Sequence, residues 1–270
     1  MPAPAASDAD ADAVVKVGGG VGVETAARGR VNGLTFVELM FDIGAVSVLV
    51  GSAPAGGPTS DDLVPVLPAL RPVIPGGGLR PGWVVSVGAS GAAAARGAAS
   101  LGLALIAGAA GHGGWCAAVG LPDLGVVAAA GMGAEPERLL LVDDPGQRWP
   151  DVVAALIDAV DLVLVRPPAR PSPTLTRRLA AVARRGRCVL VADGDWSGAQ
   201  LRLGVAAAEW TGPGAGHGHL AGRRAHVVAT GNGAAGPGRS AWVWLPGPDG
   251  AVYPAAAPAA AGRPALEVVA

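Results

Sequence analysis

Short apolar segments alternate with helical segments through the middle of the chain, and this alternation constrains the fold more than any other feature. The apolar segments have the length of buried strands and lie at Trp83–Val87, 115–121, 138–144, 161–167 and 188–193. Helical patterns separate them at 92–110, 151–160 and 172–186. Strands that are apolar throughout are typical of a parallel sheet covered by helices on both faces. The sequence therefore predicts an α/β fold with a mostly parallel sheet.

The helix at 172–186 has clear end signals. Ser172 is predicted as its N-cap, Pro173 as its first residue, and Gly186 as the residue just past its end. Beyond residue 200 the pattern changes to three segments typical of antiparallel strands, LRLGVAAAEW, RRAHVVATG and SAWVWLP. Trp242 and Trp244 are two residues apart, which places them on one face of a strand. We expect that face to pack in the core, and the alternative is that the two tryptophans anchor an interface.

The predicted domain covers residues 63–250. Residues 1–62 are a poorly defined segment, which begins with a disordered Ala/Asp/Pro stretch and ends in a linker, and residues 251–270 are a flexible tail. The most apolar stretch, residues 34–51, contains Glu38 and Asp42 and is not predicted to span a membrane. With no secretory signal, we expect a cytoplasmic protein whose Cys116 and Cys188 are small buried hydrophobic residues.

A glycine-rich loop, GASGAAAARG, follows the first central strand. Gly88, Ser90 and Gly91 match the turn of a phosphate-binding loop, but Ala92 and Ala93 stand where such a loop needs lysine and a hydroxyl residue. The chain has nineteen arginines and a single lysine, Lys16, which lies outside the predicted core. A working phosphate-binding loop is therefore disfavoured.

Three other interpretations of the chemistry are open. The loop also fits a dinucleotide-binding fingerprint, but the first carboxylate after it is Asp123, 32 residues past Gly91. His217, His219 and His226 are candidate metal ligands without a nearby carboxylate or cysteine, so we predict no metal site. The remaining interpretation is a tight strand-to-helix turn that the fold requires, and this one explains both alanines.

The order of elements over residues 65–195 resembles the core of the RecA recombinases. The resemblance implies a RecA-like core, and it assigns a metal-anchoring aspartate to the position of Arg166 and a catalytic glutamate to that of Pro122. Because both are replaced, the chain most resembles the ImuA-type accessory proteins of bacterial mutagenic repair, in their actinobacterial branch. That likeness implies a protein without ATPase activity or cofactor, which binds a polymerase-like protein of the ImuB type in damage-induced translesion synthesis.

Arginines supply the candidate binding surface. Residues 151–239 contain eleven arginines and six acidic residues. The predicted helix at 172–186 carries two pairs with a spacing of seven, which gives one exposed basic face that could dock an acidic partner or DNA phosphates. The candidates are Arg177, Arg178, Arg184 and Arg185 on that helix, together with Arg223 and Arg224. The alternative function is a nucleotide-binding enzyme, a degenerate P-loop NTPase or a Rossmann-type reductase, that uses the turn at Gly88–Gly91.

Overall fold

A computed structural model describes most of the chain. The described residues are 16–17, 22–31, 34–42 and 46–53, given as backbone strands, and 63–88, 98–212, 219–231 and 238–258. Of the predicted glycine loop, only Gly88 belongs to these ranges. Ser90, Gly91, Ala92 and Ala93 lie outside them, as does His217.

Thirteen strands and four α-helices are described. The strands are β1 (Lys16–Val17), β2 (Gly22–Val31), β3 (Leu34–Asp42), β4 (Val46–Ala53), β5 (Val84–Val87), β6 (Cys116–Val119), β7 (Leu139–Val142), β8 (Leu162–Val165), β9 (Val189–Asp193), β10 (Leu201–Thr211), β11 (Gly222–Gly231), β12 (Arg239–Trp244) and β13 (Tyr253–Pro254). The helices are α1 (Ala98–Ala110), α2 (Val126–Gly131), α3 (Trp149–Ile157) and α4 (Pro173–Gly186).

Ten strands form one sheet, in the order β1-β7-β6-β8-β9-β5-β10-β11-β12-β13. The strands from β1 to β10 in this order run parallel, and β11, β12 and β13 each pair antiparallel with the preceding strand. This sheet confirms the predicted α/β fold class, a mostly parallel sheet with C-terminal antiparallel strands. The segment predicted as poorly defined contains β1 and a separate antiparallel sheet, β2-β3-β4. In the segment predicted as a flexible tail, β13 pairs with β12.

The core lies on both faces of the large sheet. Val85 and Val87 of β5 belong to a buried cluster with α1 and the segment 64–79, whereas Val84 belongs to a second cluster with α3 and α4. The central strands are almost entirely apolar because both of their faces are covered. None of the helices in the described ranges has the length and apolar content needed to cross a membrane.

The start of α4 confirms the prediction, but its end does not. Ser172 caps the helix by accepting a hydrogen bond from the Leu175 N–H at 3.3 Å. Gly186 is the last helical residue rather than the one past the end, and Arg187 adopts the left-handed conformation, with φ 57°. A Cβ at position 186 would lie 2.9 Å from the Ile157 carbonyl oxygen. Gly186 is therefore required by the close approach of α3.

Trp242 and Trp244 share a face, as predicted, but the prediction that this face packs in the core is wrong. The buried residues of this segment are Val243 and Leu245, and the two tryptophans are half-buried on the opposite side of the sheet. The Trp242 ring stacks on His226, with centroids 5.0 Å apart, and the Trp244 ring packs at 6.1 Å from Tyr253. Ring contacts between neighbouring strands, rather than packing in the core, therefore hold the two tryptophan side chains in place.

The approach of α1 to the segment 64–79 predicts an unusual effect of a glycine substitution. A Cβ at Gly108 would lie 2.6 Å from the Val66 Cα and 2.7 Å from the Leu67 nitrogen, and both are backbone atoms. Gly108→Ala should therefore lower the free energy of unfolding by about 1–3 kcal/mol, although alanine is the better helix former. Denaturant unfolding measures the difference.

Gly204→Ala is the matched control, because its Cβ would meet only the Val228 Cγ2 at 3.9 Å. We expect it to change the free energy of unfolding by less than about 0.5 kcal/mol. A Gly108→Ala protein as stable as the wild type would contradict the close packing of α1 against residues 66–67.

Candidate functional site

The carboxyl edge of the parallel strands carries Gly88, the first residue of the glycine loop, and the two replaced acidic positions. Open α/β sheets bind their ligands at this edge. Here the ends of β6, β8, β9 and β5 lie side by side in that order. Val87 of β5 is in register with Asp193 of β9. The residues that follow these four strands therefore decide which chemistry the edge can support.

Gly88 is the first residue after β5. It has φ 85°, a left-handed conformation that favours glycine, and its N–H donates to the Leu203 carbonyl at 2.9 Å. The chain thus leaves β5 while it is still bonded to β10. The interpretation of the loop at Ser90–Ala93 as a tight turn stays a prediction, because those residues lie outside the described ranges.

Arg166 follows β8 and forms an ion pair with Asp193 at the end of β9. Its Nε donates to the Asp193 Oδ2 at 2.7 Å, and its Nη2 lies 2.6 Å from the same oxygen. The Asp193 side chain is 10% exposed and that of Arg166 42% exposed. A charge-assisted pair with two N–H groups on one oxygen is short and strong. The carboxylate that ends β9 is therefore neutralised by a guanidinium.

Pro122 lies just after β6 and is exposed. Before it, Gly120 has φ 73°, and a Cβ there would lie 2.5 Å from the Arg166 carbonyl oxygen. The Arg166 N–H donates in turn to the Val119 carbonyl at 2.9 Å. The close contact between the ends of β6 and β8 therefore requires glycine at position 120. Neither position that the resemblance assigns to an acidic residue holds a carboxylate.

Lys16 lies far from Gly88, at the other side of the sheet. It belongs to β1, and four strands separate β1 from β5 in the sheet. Five inter-strand steps correspond to roughly 24 Å. The only lysine of the chain is therefore out of reach of a ligand at Gly88.

The loop after β9 is fixed by polar contacts. The buried Ser86 hydroxyl donates to the Gly194 carbonyl at 2.7 Å. Asp195 pairs with Arg170 at 2.7 Å and lies 3.8 Å from Arg202. The hydrogen bond and the ion pairs therefore fix the position of this loop. Within the described part of this edge, no hydroxyl or thiol is paired with a histidine in the way that nucleophilic catalysis requires.

The candidate metal ligands do not come together in the described ranges. His226 lies in β11 and stacks on Trp242, whereas His219 precedes that strand and is exposed. Among the described residues no group of three or more histidine, cysteine or acidic side chains is placed to hold a metal ion.

The two cysteines are buried, as predicted. Burial raises the pKa of both thiols well above the ordinary value. A thiol in such surroundings is unreactive at neutral pH. Cys116 and Cys188 therefore serve packing rather than catalysis.

The four predicted arginines of α4 are all exposed, and α4 contains no acidic residue. We call Arg177, Arg178, Arg184 and Arg185 the α4 basic surface. Arg178 lies 3.5 Å from Asp151 of α3, so that the row formed by Arg178 and Arg185 borders α3. Arg184 lies beside Gly82, so that the other row, Arg177 and Arg184, faces away from α3. The four arginines therefore form two rows on different sides of α4 rather than the predicted single face.

Arg223 does not belong to an exposed basic surface, which corrects its grouping with the arginines of α4. It is 3% exposed, and its Nε donates to the Leu245 carbonyl at 2.9 Å. Burial lowers the pKa of Arg223. Neighbouring residues in a strand point to opposite faces, and Arg224 accordingly lies on the other face, 2.9 Å from Glu209.

Sequence reasoning missed Asp193. The residue ends an apolar strand, CVLVAD, and an aspartate at that point is the only signal that the sequence offers. Its partner Arg166 lies 27 residues away along the chain. Only the adjacency of β8 and β9 brings the two together.

The ion pair predicts how stability responds to mutation. Arg166→Met should lower the free energy of unfolding by about 1–3 kcal/mol, because it leaves a largely buried carboxylate without its partner. Adding Asp193→Asn to that variant should recover part of the loss. Denaturant unfolding of the two single variants and the double variant measures the coupling. Strictly additive effects would contradict a direct interaction.

Comparison with known proteins places the chain in a family. The family model of the MT3502 N-terminal domain matches residues 72–198. The uncharacterized protein Rv3395c of Mycobacterium tuberculosis is 40% identical over 159 residues, which cover 57% of this chain and 70% of that protein. The crystal structure of the flagellar accessory protein FlaH from Methanocaldococcus jannaschii aligns with a TM-score of 0.45 at 11% identity, covering 67% of this chain and 94% of FlaH. By its similarity to Rv3395c, the chain belongs to the same family as that protein.

Proposed function

We propose that the protein is a non-catalytic RecA-like interaction protein that acts as an accessory factor in DNA-damage-induced translesion synthesis. Its partner in this proposal is a polymerase-like protein of the ImuB type. The observation that carries the proposal is the Arg166–Asp193 ion pair at the carboxyl edge of the sheet.

The ion pair argues against phosphoryl transfer at this edge. That reaction depends on carboxylates that hold the metal ion and on a lysine that contacts the phosphates. At the matching positions the chain has Arg166, whose charge is opposite to that of a metal-binding residue, and Pro122. Asp193, which ends the neighbouring strand β9, is engaged by Arg166. What the edge retains is the shape of a ligand site without the charges that the chemistry needs.

The α4 basic surface supports the binding role. Four exposed arginines on one helix without an acidic residue produce a local positive potential in a chain whose net charge is only −1. Arginine pairs with carboxylates through two parallel hydrogen bonds, and such pairs set the orientation of a complex. The surface therefore suits an acidic segment of a partner protein.

The alternative, a nucleotide-binding enzyme, is supported only by the left-handed Gly88 at the start of the loop. A tight strand-to-helix turn needs the same conformation.

A thermal unfolding experiment separates the two functions. The melting temperature of the purified protein should be the same with and without millimolar ATP–Mg²⁺ or NADPH, since a ligand that does not bind the native state cannot stabilise it. A rise of several degrees that Gly91→Asp abolishes would instead support the nucleotide-binding enzyme and contradict the non-catalytic proposal.

Partner capture tests the α4 basic surface. Replacing Arg177, Arg178, Arg184 and Arg185 together by Gln should weaken binding to the ImuB-type protein of the same genome at least ten-fold, because several charge pairs are lost. Surface plasmon resonance with the full chain measures the affinity. The control replaces three exposed arginines outside α4, Arg71, Arg148 and Arg239, by Gln. Equal affinities for both variants would contradict this docking surface.

A further inference from the structure

We propose that the outward face of the C-terminal antiparallel strands binds single-stranded nucleic acid, whose bases stack on its aromatic rings. This open face consists of the outward side chains of β10–β13: Glu209, Arg224, His226, Trp242, Trp244 and Tyr253. The site is separate from the α4 basic surface. It would give the protein a direct contact with DNA in addition to its proposed protein partner.

Burial alternates along the strands that carry this face. Ala225, Val227 and Ala229 of β11 are buried against the core, whereas Arg224 and His226, which alternate with them, are partly exposed. Such alternation is the mark of a sheet with one face packed and the other open to solvent. The rings of the open face are therefore in reach of a ligand.

The register of the strands collects the rings in two neighbouring rows. Across the sheet, Arg224 lies opposite Trp244, and Trp244 opposite Tyr253. One step along, His226 lies opposite Trp242 and stacks on it with an interplanar angle of 15°. The Arg224 guanidinium lies 5.8 Å from the centre of the Trp244 ring. Four rings and a guanidinium thus share one small surface across three strands.

Aromatic residues are scarce in the chain, and several of them are concentrated on the open face. Only 4% of its residues are Phe, Trp or Tyr, and three of these, Trp242, Trp244 and Tyr253, lie on the open face. Solubility alone does not require aromatic side chains on this face. Rings on an open surface are the platform on which proteins stack the bases of single strands, because every base has a π-face.

The charges on the same side of the sheet fit a polyanion. Val84 faces the cluster with α3 and α4, and Ser86, two residues further along β5, faces the same side. Arg202 is in register with Ser86 and therefore also points to the α4 side. The open face lies on that side as well, since the inward residues Val205 and Val227 belong to the α1 cluster. The acidic groups Glu209 and Asp195 are each close to arginines. A strand that stacks on the rings would meet Arg202 and Arg224 and run toward the exposed arginines of α4.

Single strands rather than duplexes fit this surface. Stacking on side chains requires unpaired bases with free faces, and a duplex hides those faces inside its own stack. The described part of the open face has no projecting helix that could enter a groove. The geometry therefore favours extended DNA or RNA with unpaired bases.

Fluorescence anisotropy with a fluorescein-labelled oligothymidylate of fifteen nucleotides tests the proposal on the full chain. We expect binding by the wild type, a loss of about ten-fold or more in affinity for Trp242→Leu, and a smaller loss for Trp242→Phe, which keeps a ring for stacking. An unlabelled duplex of the same length should compete poorly. Trp210→Leu is the matched control, because Trp210 is 52% exposed but is opposite Arg223, on the other face of the sheet.

Photochemical cross-linking with an iodouracil oligonucleotide provides a second measurement that needs no variant. Cross-links should map to the tryptic peptide that begins at Ser240 and contains Trp242 and Trp244. Absence of binding, equal weakening by Trp210→Leu, or cross-links confined to peptides of α4 would each overturn the proposal. Trp242→Leu should still capture the ImuB-type protein, so that failure of this site and failure of the proposed partner role give different results.

Discussion

The hydrogen bonding of β5 on both sides is the constraint on which the rest of the structure depends. β5 pairs with β9 on one side and with β10 on the other, and so joins the helix-covered parallel strands to the antiparallel C-terminal strands. Because it is buried on both faces, even its one polar side chain, Ser86, must find a partner, which is the carbonyl of Gly194. That bond ties the loop after β9 to the centre of the sheet. The left-handed Gly88 then directs the chain away from the sheet at the point where a ligand site would begin.

The carboxyl edge and the C-terminal strands differ in what they offer. The edge has the layout of an α/β ligand site, but its principal charges, Arg166 and Asp193, are directed at each other. The C-terminal strands leave aromatic and basic side chains on an outward face, and α4 adds arginines on the same side. The described part of the carboxyl edge therefore presents paired charges, whereas the C-terminal strands and α4 present exposed arginines and aromatic rings.

The strands and helices of the core could be predicted from the sequence because each buried strand is a short run of apolar residues. The ion pair between Arg166 and Asp193 could not, since it depends on which strands are neighbours in the sheet. The spacing of two residues indicates that Trp242 and Trp244 share a face of the strand, but it does not indicate which face is buried. Val243 and Leu245 occupy the core instead. Gly186 was assigned to the wrong helix-end position because its close approach to Ile157 is a tertiary contact. The burial of Arg223 could not be predicted either, because its neighbour Arg224 is also an arginine and yet is partly exposed.

The composition of the α4 basic surface has a consequence for how it can be regulated. Its positive charges are all guanidinium groups, which stay protonated throughout the physiological pH range. Acetylation, which neutralises lysine, has no target on it, because the only lysine of the chain is in β1 at the far edge of the sheet. Methylation of arginine leaves the charge in place. The surface is thus a constant source of positive potential, and the proposed complex would be controlled through the acidic groups of the partner and the ionic strength around them.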